Sequence, residues 1–261
     1  MKKKYILILC SEEGSSLVSY IGQYNSFFAQ ERMSHDIDTV SKVINDNGYI
    51  PLLISFHEDA RYLKVSSRYK KQIDKSIIVT TMYEVKQYIN DVAGLVLLGL
   101  PGRSGSGAFI DGTNNKLGWH DYLINHKAIS EAELFAIYFG FDNIPVIFAS
   151  GCDVAMRQDK ESFPDIPLAT TKIAINRNLA FCLSEKEVDL LLKSKIQEAL
   201  NKIDVFKPMK LDLPLTVTIV FNRTDYCDDA LQFNNYRLAR VDARTLKKEI
   251  KEVTSINDFV F

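Results

Sequence analysis

The chain has 261 residues, of which 46% are hydrophobic and 25% are charged, and its formal net charge at pH 7 is −1. This length can bury a substantial core in one large domain or in two closely packed ones. The balanced charge gives no electrostatic reason to expect nucleic acid or an anionic membrane as a partner. The first apolar run, Tyr5–Cys10, is shorter than the core of a secretion signal, and no stretch approaches a membrane span of ~20 residues. We therefore predict a cytoplasmic protein.

Strands and helices alternate along the chain. Continuous apolar runs predict buried strands at Tyr5–Cys10, Ile50–Phe56, Gly94–Leu100 and Ile144–Ala149. Strands that are apolar throughout are typical of a parallel sheet covered on both faces. We therefore predict an α/β fold with a mainly parallel sheet flanked by helices.

The remaining elements complete this alternation. Further strands are predicted at Ile77–Thr80, Trp119–Asn125, Leu168–Ala174, Leu215–Phe221 and Tyr236–Val241, and helices at His35–Asn47, Met82–Val92, Ser130–Gly140, Asp153–Glu161, Glu185–Ile203 and Thr245–Val253. Pro208 and Pro214 bracket a linker-like segment. We predict an α/β core at residues 1–205 that carries the cleft, and a smaller α+β C-terminal lobe at residues 206–261 packed on it. One continuous domain is the alternative.

Three acidic or imidazole side chains follow predicted strands or open a predicted helix. They are Glu13 after the first strand, His57 after the second, and Glu131 at the start of a predicted helix. Ser130 is the predicted N-cap of that helix, with Glu133 at the capping-box position. Functional residues in parallel α/β proteins gather outside the carboxyl ends of the strands, so we expect these three in one cleft. His57 is the histidine best placed to coordinate a metal or to transfer protons.

The glycine-rich segment Pro101–Gly107 opens the candidate loop over this cleft, Gly102–Gly112, which contains Arg103, Ser104 and Ser106. Successive backbone N–H groups in such a loop can also bind an anion. The segment lacks the Lys-Ser/Thr ending of a P-loop, and Gly105-Ser106-Gly107 does not form a serine nucleophile elbow. We therefore predict a flexible covering loop.

The four cysteines are far apart, so they indicate neither a zinc-binding pair nor a disulfide framework. Cys10 and Cys152 lie at or just past the ends of predicted strands. Either could line the cleft as a nucleophile if a base lay nearby.

Several short sequence segments, taken in their order along the chain, resemble the D-aminopeptidase family of binuclear zinc enzymes. They are the run Gly94–Leu100 with its Gly/Ser loop, Tyr122–Asn125 leading to Ile129-Ser130-Glu131, Ile144–Asp153, and Cys182-Leu183-Ser184. The resemblance runs from residue 4 to about residue 250. It implies an enzyme that trims D-amino acids from short peptides, and a ring-like homo-oligomer.

The resemblance also implies which residues form the site. The family's first strand ends in Asp-x-Glu-Gly, whose two acids bind metal, and here that place reads Ser11-Glu12-Glu13-Gly14. Glu13, His57 and Glu131 match metal-binding positions, whereas Pro101 stands where the family has a metal-binding histidine. The family's catalytic loop histidine has no counterpart, and Thr113 is nearest to it.

Ser11 and Pro101 change the metal chemistry that the resemblance implies. Two divalent ions close together usually share a bridging carboxylate, which the neutral Ser11 cannot supply. Glu13, His57 and Glu131 would hold one ion, zinc in the first place, or none. Without a metal, the carboxylates of Glu13 and Glu131 beside His57 remain for general acid–base work, if burial keeps one of them protonated. Ser11 and Thr113 are the other catalytic candidates.

Three functions are compatible with these residues. The first is an amide-bond hydrolase that acts on a small peptide-like substrate with one metal ion or none. The second is a non-catalytic protein that binds a peptide or an amino-acid derivative, or serves in an assembly. The third is metal-independent acyl transfer or cyclisation that uses Cys10, Ser11 or Cys152. A homo-oligomer is expected, with contact area from aromatic residues near the C-terminus: Phe206, Phe221, Tyr226, Phe233 and Tyr236.

Overall fold

The structure, a computed structural model, describes residues 4–23, 26–54, 77–79, 82–113, 118–233 and 238–259. Its helices within these ranges are α1 (Phe27–Asp46), α2 (Met82–Val85), α3 (Glu131–Gly140), α4 (Asp153–Ser162), α5 (Glu185–Asn201) and α6 (Thr224–Phe233). Its strands there are β1 (Tyr5–Cys10), β2 (Ile50–Ile54), β3 (Ile77–Val79), β4 (Val92–Leu98), β5 (Trp119–Ile124), β6 (Lys127–Ala128), β7 (Val146–Cys152), β8 (Leu168–Asn176), β9 (Leu179–Cys182), β10 (Leu215–Phe221), β11 (Ala239–Arg240) and β12 (Thr245–Ile250). A short 3-10 helix, Glu12–Gly14, follows β1.

The larger sheet has the strand order β3-β2-β1-β4-β7-β8-β9. Its strands run parallel as far as β8, and β9 returns antiparallel to β8. The central strands β1, β4 and β7 are almost wholly buried, as expected for a sheet covered on both faces. The predicted α/β fold with a mainly parallel sheet and flanking helices is confirmed.

The smaller sheet is antiparallel, with the order β11-β12-β10-β5-β6. It combines β5 and β6, from the middle of the chain, with strands that follow residue 214. Strands from both sides of the predicted boundary at residue 205 therefore share this sheet. The division into two lobes stays a prediction.

The predicted basic helix at Thr245–Val253 is wrong, because Thr245–Ile250 forms β12. Leu246, Lys248 and Ile250 point to the buried face, while Lys247 and Glu249 are exposed. This alternation has the period of a strand. Pairing with β10 along its whole length outweighs the helix preference of the lysines and glutamates.

Other elements also differ from the sequence prediction, most clearly one helix start, one helix end and one helix that was not predicted. α1 begins at Phe27, because the Ser26 side chain accepts a hydrogen bond from the N–H of Ala29 and caps the helix there. The helix predicted at Met82–Val92 ends at Val85. Val92, the last residue of the predicted helix, is the first residue of β4. α6 was not predicted, since its several aspartates are weak helix formers.

Within the ranges that the structure describes, no helix combines the length and the apolar character needed to cross a bilayer.

Candidate functional site

The carboxyl ends of β1, β4 and β7 lie side by side. The backbone N–H of Ser11 donates to the carbonyl of Leu98 at 3.0 Å, and that of Gly99 donates to the carbonyl of Ser150 at 2.8 Å. The segments that leave these three strands therefore start from one edge of the sheet. This is the edge at which the candidate site was expected.

The turn after β1 is in backbone contact with the turn after β4. A Cβ atom on Gly14 would lie 1.9 Å from the carbonyl oxygen of Gly99, and one on Gly99 would lie 2.7 Å from the carbonyl carbon of Gly14. Gly99 also has a φ of +67°, which favours glycine. The 3-10 turn that carries Glu13 is thus pressed against the start of the loop that carries Pro101.

The predicted metal positions are placed as follows. Ser11 and Pro101 are both buried at the sheet edge. Glu13 lies in the 3-10 turn, and its side chain is outside the described part of the structure, as is the whole of His57. Glu131 is the first residue of α3 and is half-buried.

Thr113 lies beside the start of α3. Its hydroxyl is buried and donates to the carbonyl of Ile129 at 2.8 Å. Ser130 caps α3 and forms the predicted capping box with Glu133. Thr113 therefore ties the end of the loop to the backbone two residues before Glu131.

Arg103 ties the start of the loop to the other side of Glu131. Its Nε and Nη2 donate to the two carboxylate oxygens of Glu133, each at 3.0 Å. Glu133 also accepts from the Ser130 N–H at 2.7 Å and from the Ser162 hydroxyl at 2.6 Å. Burial alone would raise the pKa of Glu133, but the hydrogen bonds from Arg103, Ser162 and Ser130 lower it. The carboxylate is therefore charged and paired at neutral pH.

The rest of the loop is anchored as well. The Gly112 N–H donates to the Gly102 carbonyl at 3.0 Å, and the Ile110 N–H donates to the Arg177 carbonyl at 2.9 Å. Arg177 also forms an ion pair with Asp111 at 2.9 Å. Ser104 and Ser106 are half-buried, and the Ser106 N–H donates to the carbonyl of Arg103. The expected flexible loop is thus fastened at its base and along its length.

The two candidate thiols, Cys10 and Cys152, are both buried. Burial raises the pKa of Cys10 to about 12, and the negative charges of Glu12 and Asp36 add to this. Cys152 is buried at the N-cap of α4, where its Sγ accepts from the Ala155 N–H. Since the thiolate is the nucleophilic form, Cys10 is a poor nucleophile at neutral pH.

Lys172, on β8, was missed by the sequence analysis. It is 1% exposed, and its Nζ donates to the carbonyls of Ser15 and Val18, each at 2.6 Å. It also lies 4.8 Å from the ring centroid of Phe109. Burial lowers its pKa to about 8. Lys172 thus joins the segment after the Glu12–Gly14 turn to the loop, and no sequence pattern distinguishes it from an ordinary outward-facing strand lysine.

Asp159, on α4, was also missed. It is buried near the Arg103–Glu133 pair, and burial followed by the charge of Glu133 raises its pKa to about 8, against the opposing effect of Arg103. The sequence did contain a pattern that indicates burial of Asp159. Ala155 and Met156, four and three residues earlier, place Asp159 on the buried face of a helix.

Two of the positions that the family resemblance assigns to metal ligands, Ser11 and Pro101, carry no carboxylate or imidazole. Ser11 is neutral and Pro101 has no donor side chain, although both occupy buried positions at the ends of central strands. Among the side chains that the structure describes, no three His, Cys, Asp or Glu residues are grouped closely enough to hold a metal ion. Glu13 and His57 are not among those side chains.

The chain is similar to known proteins along most of its length. Residues 78–260 match the peptidase M55 family, described as D-aminopeptidase. The D-aminopeptidase of Bacillus subtilis (strain 168) is 32% identical over 92 residues, which are 35% of this chain and 34% of that protein. The match thus spans about a third of the relative's length.

A solved structure has the same fold. It is the Zn-dependent D-aminopeptidase DppA from Bacillus subtilis, described as a self-compartmentalizing protease. The TM-score is 0.85 at 19% sequence identity, with 98% of this chain and 94% of that chain covered. Since the family match covers well over half of the 261 residues, the chain belongs to the D-aminopeptidase family of peptidases.

Proposed function

We propose that this protein hydrolyses an amide bond of a small peptide-like substrate, with a site reduced to one metal ion or none. Membership of a peptidase family supports the reaction class. The observation that carries the proposal is that the start of the helix bearing Glu131 is held in a defined position. Contacts from Thr113 to Ile129 and from Arg103 to Glu133 hold the helix start on both sides of this carboxylate.

The chemistry assigned to the side chains follows from what amide hydrolysis requires. The attacking water must lose a proton and the leaving amine must gain one. A half-buried Glu131 is suited to accept the first proton, and we assign delivery of the second to His57. The anchored loop would limit the access of water to the bound substrate.

In this proposal, the chain differs from its family in the number of metal ions that it requires. Glu13, His57 and Glu131 are the set that would hold a single ion, and their carboxylate and imidazole donors suit zinc. The proposed steps of Glu131 and His57 are assigned without a second ion, because Ser11 and Pro101 offer it no carboxylate or imidazole.

The acyl-transfer alternative has less support from the structure. It needs a nucleophile at Cys10, Ser11 or Cys152, and both thiols are buried. The pKa of Cys10 near 12 leaves almost no thiolate at neutral pH. The non-catalytic alternative is separated from hydrolysis by direct assay.

We further propose that the protein assembles with copies of itself, by analogy with DppA, the self-compartmentalizing enzyme that shares its fold. The predicted contact area near the C-terminus needs correction, because Phe206 and Phe221 are core residues. Tyr226 is exposed at 36%, the Phe233 side chain is not described, and Tyr236 lies outside the described residues. A cytoplasmic location stays a prediction.

The test is hydrolysis of D-alanyl and L-alanyl dipeptides by the wild type, Glu131→Gln and His57→Asn. We expect each variant to lose at least about 100-fold in kcat/KM, the usual contribution of a general acid or base. Glu252→Gln is the matched control, since Glu252 is an exposed glutamate after β12 with no role in the proposed site. A wild type that cleaves neither dipeptide, or a fully active Glu131→Gln variant, would contradict the proposal.

A further inference from the structure

The hairpin β8–β9 extends beyond the strand that supports it. β8 pairs with β7 from Leu168 to Lys172, and its following residues, to Asn176, pair with β9. Residues Ile173–Phe181 therefore project at the edge of the parallel sheet. We call this segment the hairpin arm.

Large apolar side chains lie on the outer face of the hairpin arm. Ile173 and Phe181 are cross-strand partners, and Leu179 is bridged to Tyr20. Because side chains two residues apart on a strand share a face, Leu179 and Phe181 join the two pairs into one surface. The exposed fractions are Tyr20 55%, Ile173 49%, Leu179 42% and Phe181 70%. We call these four side chains the apolar face.

The area of the apolar face is appropriate for a protein interface. Four large side chains of roughly 200 Å² each, about half exposed, offer about 400 Å² of apolar surface. A partner in a standard interface buries about 800 Å², of which rather more than half is apolar. The apolar face alone thus supplies most of the apolar area that one partner needs.

The hairpin arm is already held in a fixed position. The Ala174 N–H donates to Asp153 Oδ1 at 2.8 Å, the Ala180 N–H donates to the Ser19 carbonyl at 2.8 Å, and the Ile21 N–H donates to the Asn178 carbonyl at 2.9 Å. At its tip, Arg177 is paired with Asp111. Binding to a fixed surface loses little conformational entropy, which favours association.

The chemistry of the apolar face suits a second copy of the chain. None of its four members is charged, and the nearby Arg177 is neutralised by Asp111. When a surface meets its own copy, any net charge would face the same charge, so an uncharged apolar surface is the kind that can be self-complementary. A partner whose contact surface carries charged groups would find no opposite charges on this face to pair with.

We propose that the apolar face of the hairpin arm is a contact surface between two copies of this chain. The inference rests on the self-association proposed above and specifies the surface that forms it. It also connects assembly with the site, because Ile110 and Asp111 of the site loop are bonded to Arg177 of the arm. A copy seated on the arm would brace the loop from outside.

The test measures mass in solution by sedimentation velocity at tens of micromolar protein, for the wild type and three variants. Phe181→Glu places a charge in the middle of the apolar face, and Phe181→Leu keeps it apolar. Tyr83→Glu is the matched control, since Tyr83 is an aromatic residue on α2 that is 77% exposed. Circular dichroism and the melting temperature confirm that each variant is folded.

We expect a wild-type multiple of 29.7 kDa, an association about ten-fold weaker or more in Phe181→Glu, and unchanged assembly in Phe181→Leu and Tyr83→Glu. A monomeric wild type overturns both self-association and this surface. An oligomer that Phe181→Glu does not weaken overturns the surface alone. The dipeptide assay is read separately, so loss of hydrolysis with assembly intact counts only against the proposed enzyme.

Discussion

Gly14 and Gly99 approach each other so closely that a single added methyl group on Gly14 would lie 1.9 Å from the carbonyl oxygen of Gly99. The two residues belong to turns that leave neighbouring strands of the parallel sheet. Their contact fixes the turn bearing Glu13 against the loop bearing Pro101, without any side chain between them. The shape of the candidate site therefore depends on backbone contact at its floor.

This contact predicts a large effect of substitution at Gly99. Gly99→Ala should destabilise the protein by about 3 kcal/mol or more, because the new Cβ would meet the Gly14 backbone and the φ is positive. Gly105→Ala is the matched control, since its φ is +70° and no atom lies within 4 Å of the added Cβ. It should cost about 1 kcal/mol, by urea denaturation. Equal losses in the two variants would contradict the steric account.

The bidentate pair between Arg103 and Glu133 predicts a cost for replacing arginine by lysine. Arg103→Lys keeps the charge but loses the two parallel hydrogen bonds to a buried carboxylate, so we expect about 1–3 kcal/mol of destabilisation and a lower kcat. Arg223→Lys is the control, because Arg223 forms the same two-bond geometry with Asp225 on the exposed surface. Thermal unfolding and dipeptide turnover should be unchanged there. An Arg103→Lys protein with wild-type stability would show that the pair does not hold the loop.

Asp159 predicts a pH dependence of stability with a definite sign. Its pKa in the folded protein, about 8, is above the ordinary aspartate value, so the folded state binds the proton more tightly than the unfolded chain. The wild type should therefore lose stability as the pH rises from about 4 to about 8. Asp159→Asn removes this loss and should gain roughly 3 kcal/mol or more on the wild type across that range. Urea denaturation at both ends of the range measures it.

The control for Asp159→Asn is Asp165→Asn, in the exposed segment after α4. Its stability should follow the wild type across the same pH range. Parallel curves for the wild type and Asp159→Asn would mean that the Asp159 carboxyl is not buried in the manner described.

The sequence was sufficient for the parts of the fold that depend on local pattern. The apolar runs gave the central parallel strands, and the Ser130–Glu133 spacing gave the capping box that presents Glu131. The sequence was not sufficient where contacts between residues far apart in the chain decide the local structure. Thr245–Ile250 became a strand only through β10, and the partners of Arg103 and Lys172 lie 30 or more residues away along the chain. These contacts leave no periodic trace in a single sequence.

Ser11 and Pro101, which the family resemblance aligns with metal-binding positions, predict a gain of zinc binding on substitution. If Ser11 and Pro101 face the same cleft as Glu131, the double variant Ser11→Asp, Pro101→His should take up more zinc than the wild type, by about one ion per chain. Ser106→Asp is the control, since it adds a carboxylate to the same loop at a position that the family resemblance does not assign to metal. Unchanged uptake in the double variant would show that these positions do not contribute to a common site.

The central proposal is that this member of the D-aminopeptidase family works with fewer than two zinc ions. The most direct test is the zinc content of wild-type protein purified without chelator, measured by elemental mass spectrometry. The same sample is assayed for hydrolysis of D-alanyl peptides. We expect at most one zinc ion per chain and weak hydrolysis. Two zinc ions per chain together with rapid cleavage of D-alanyl peptides would contradict the account.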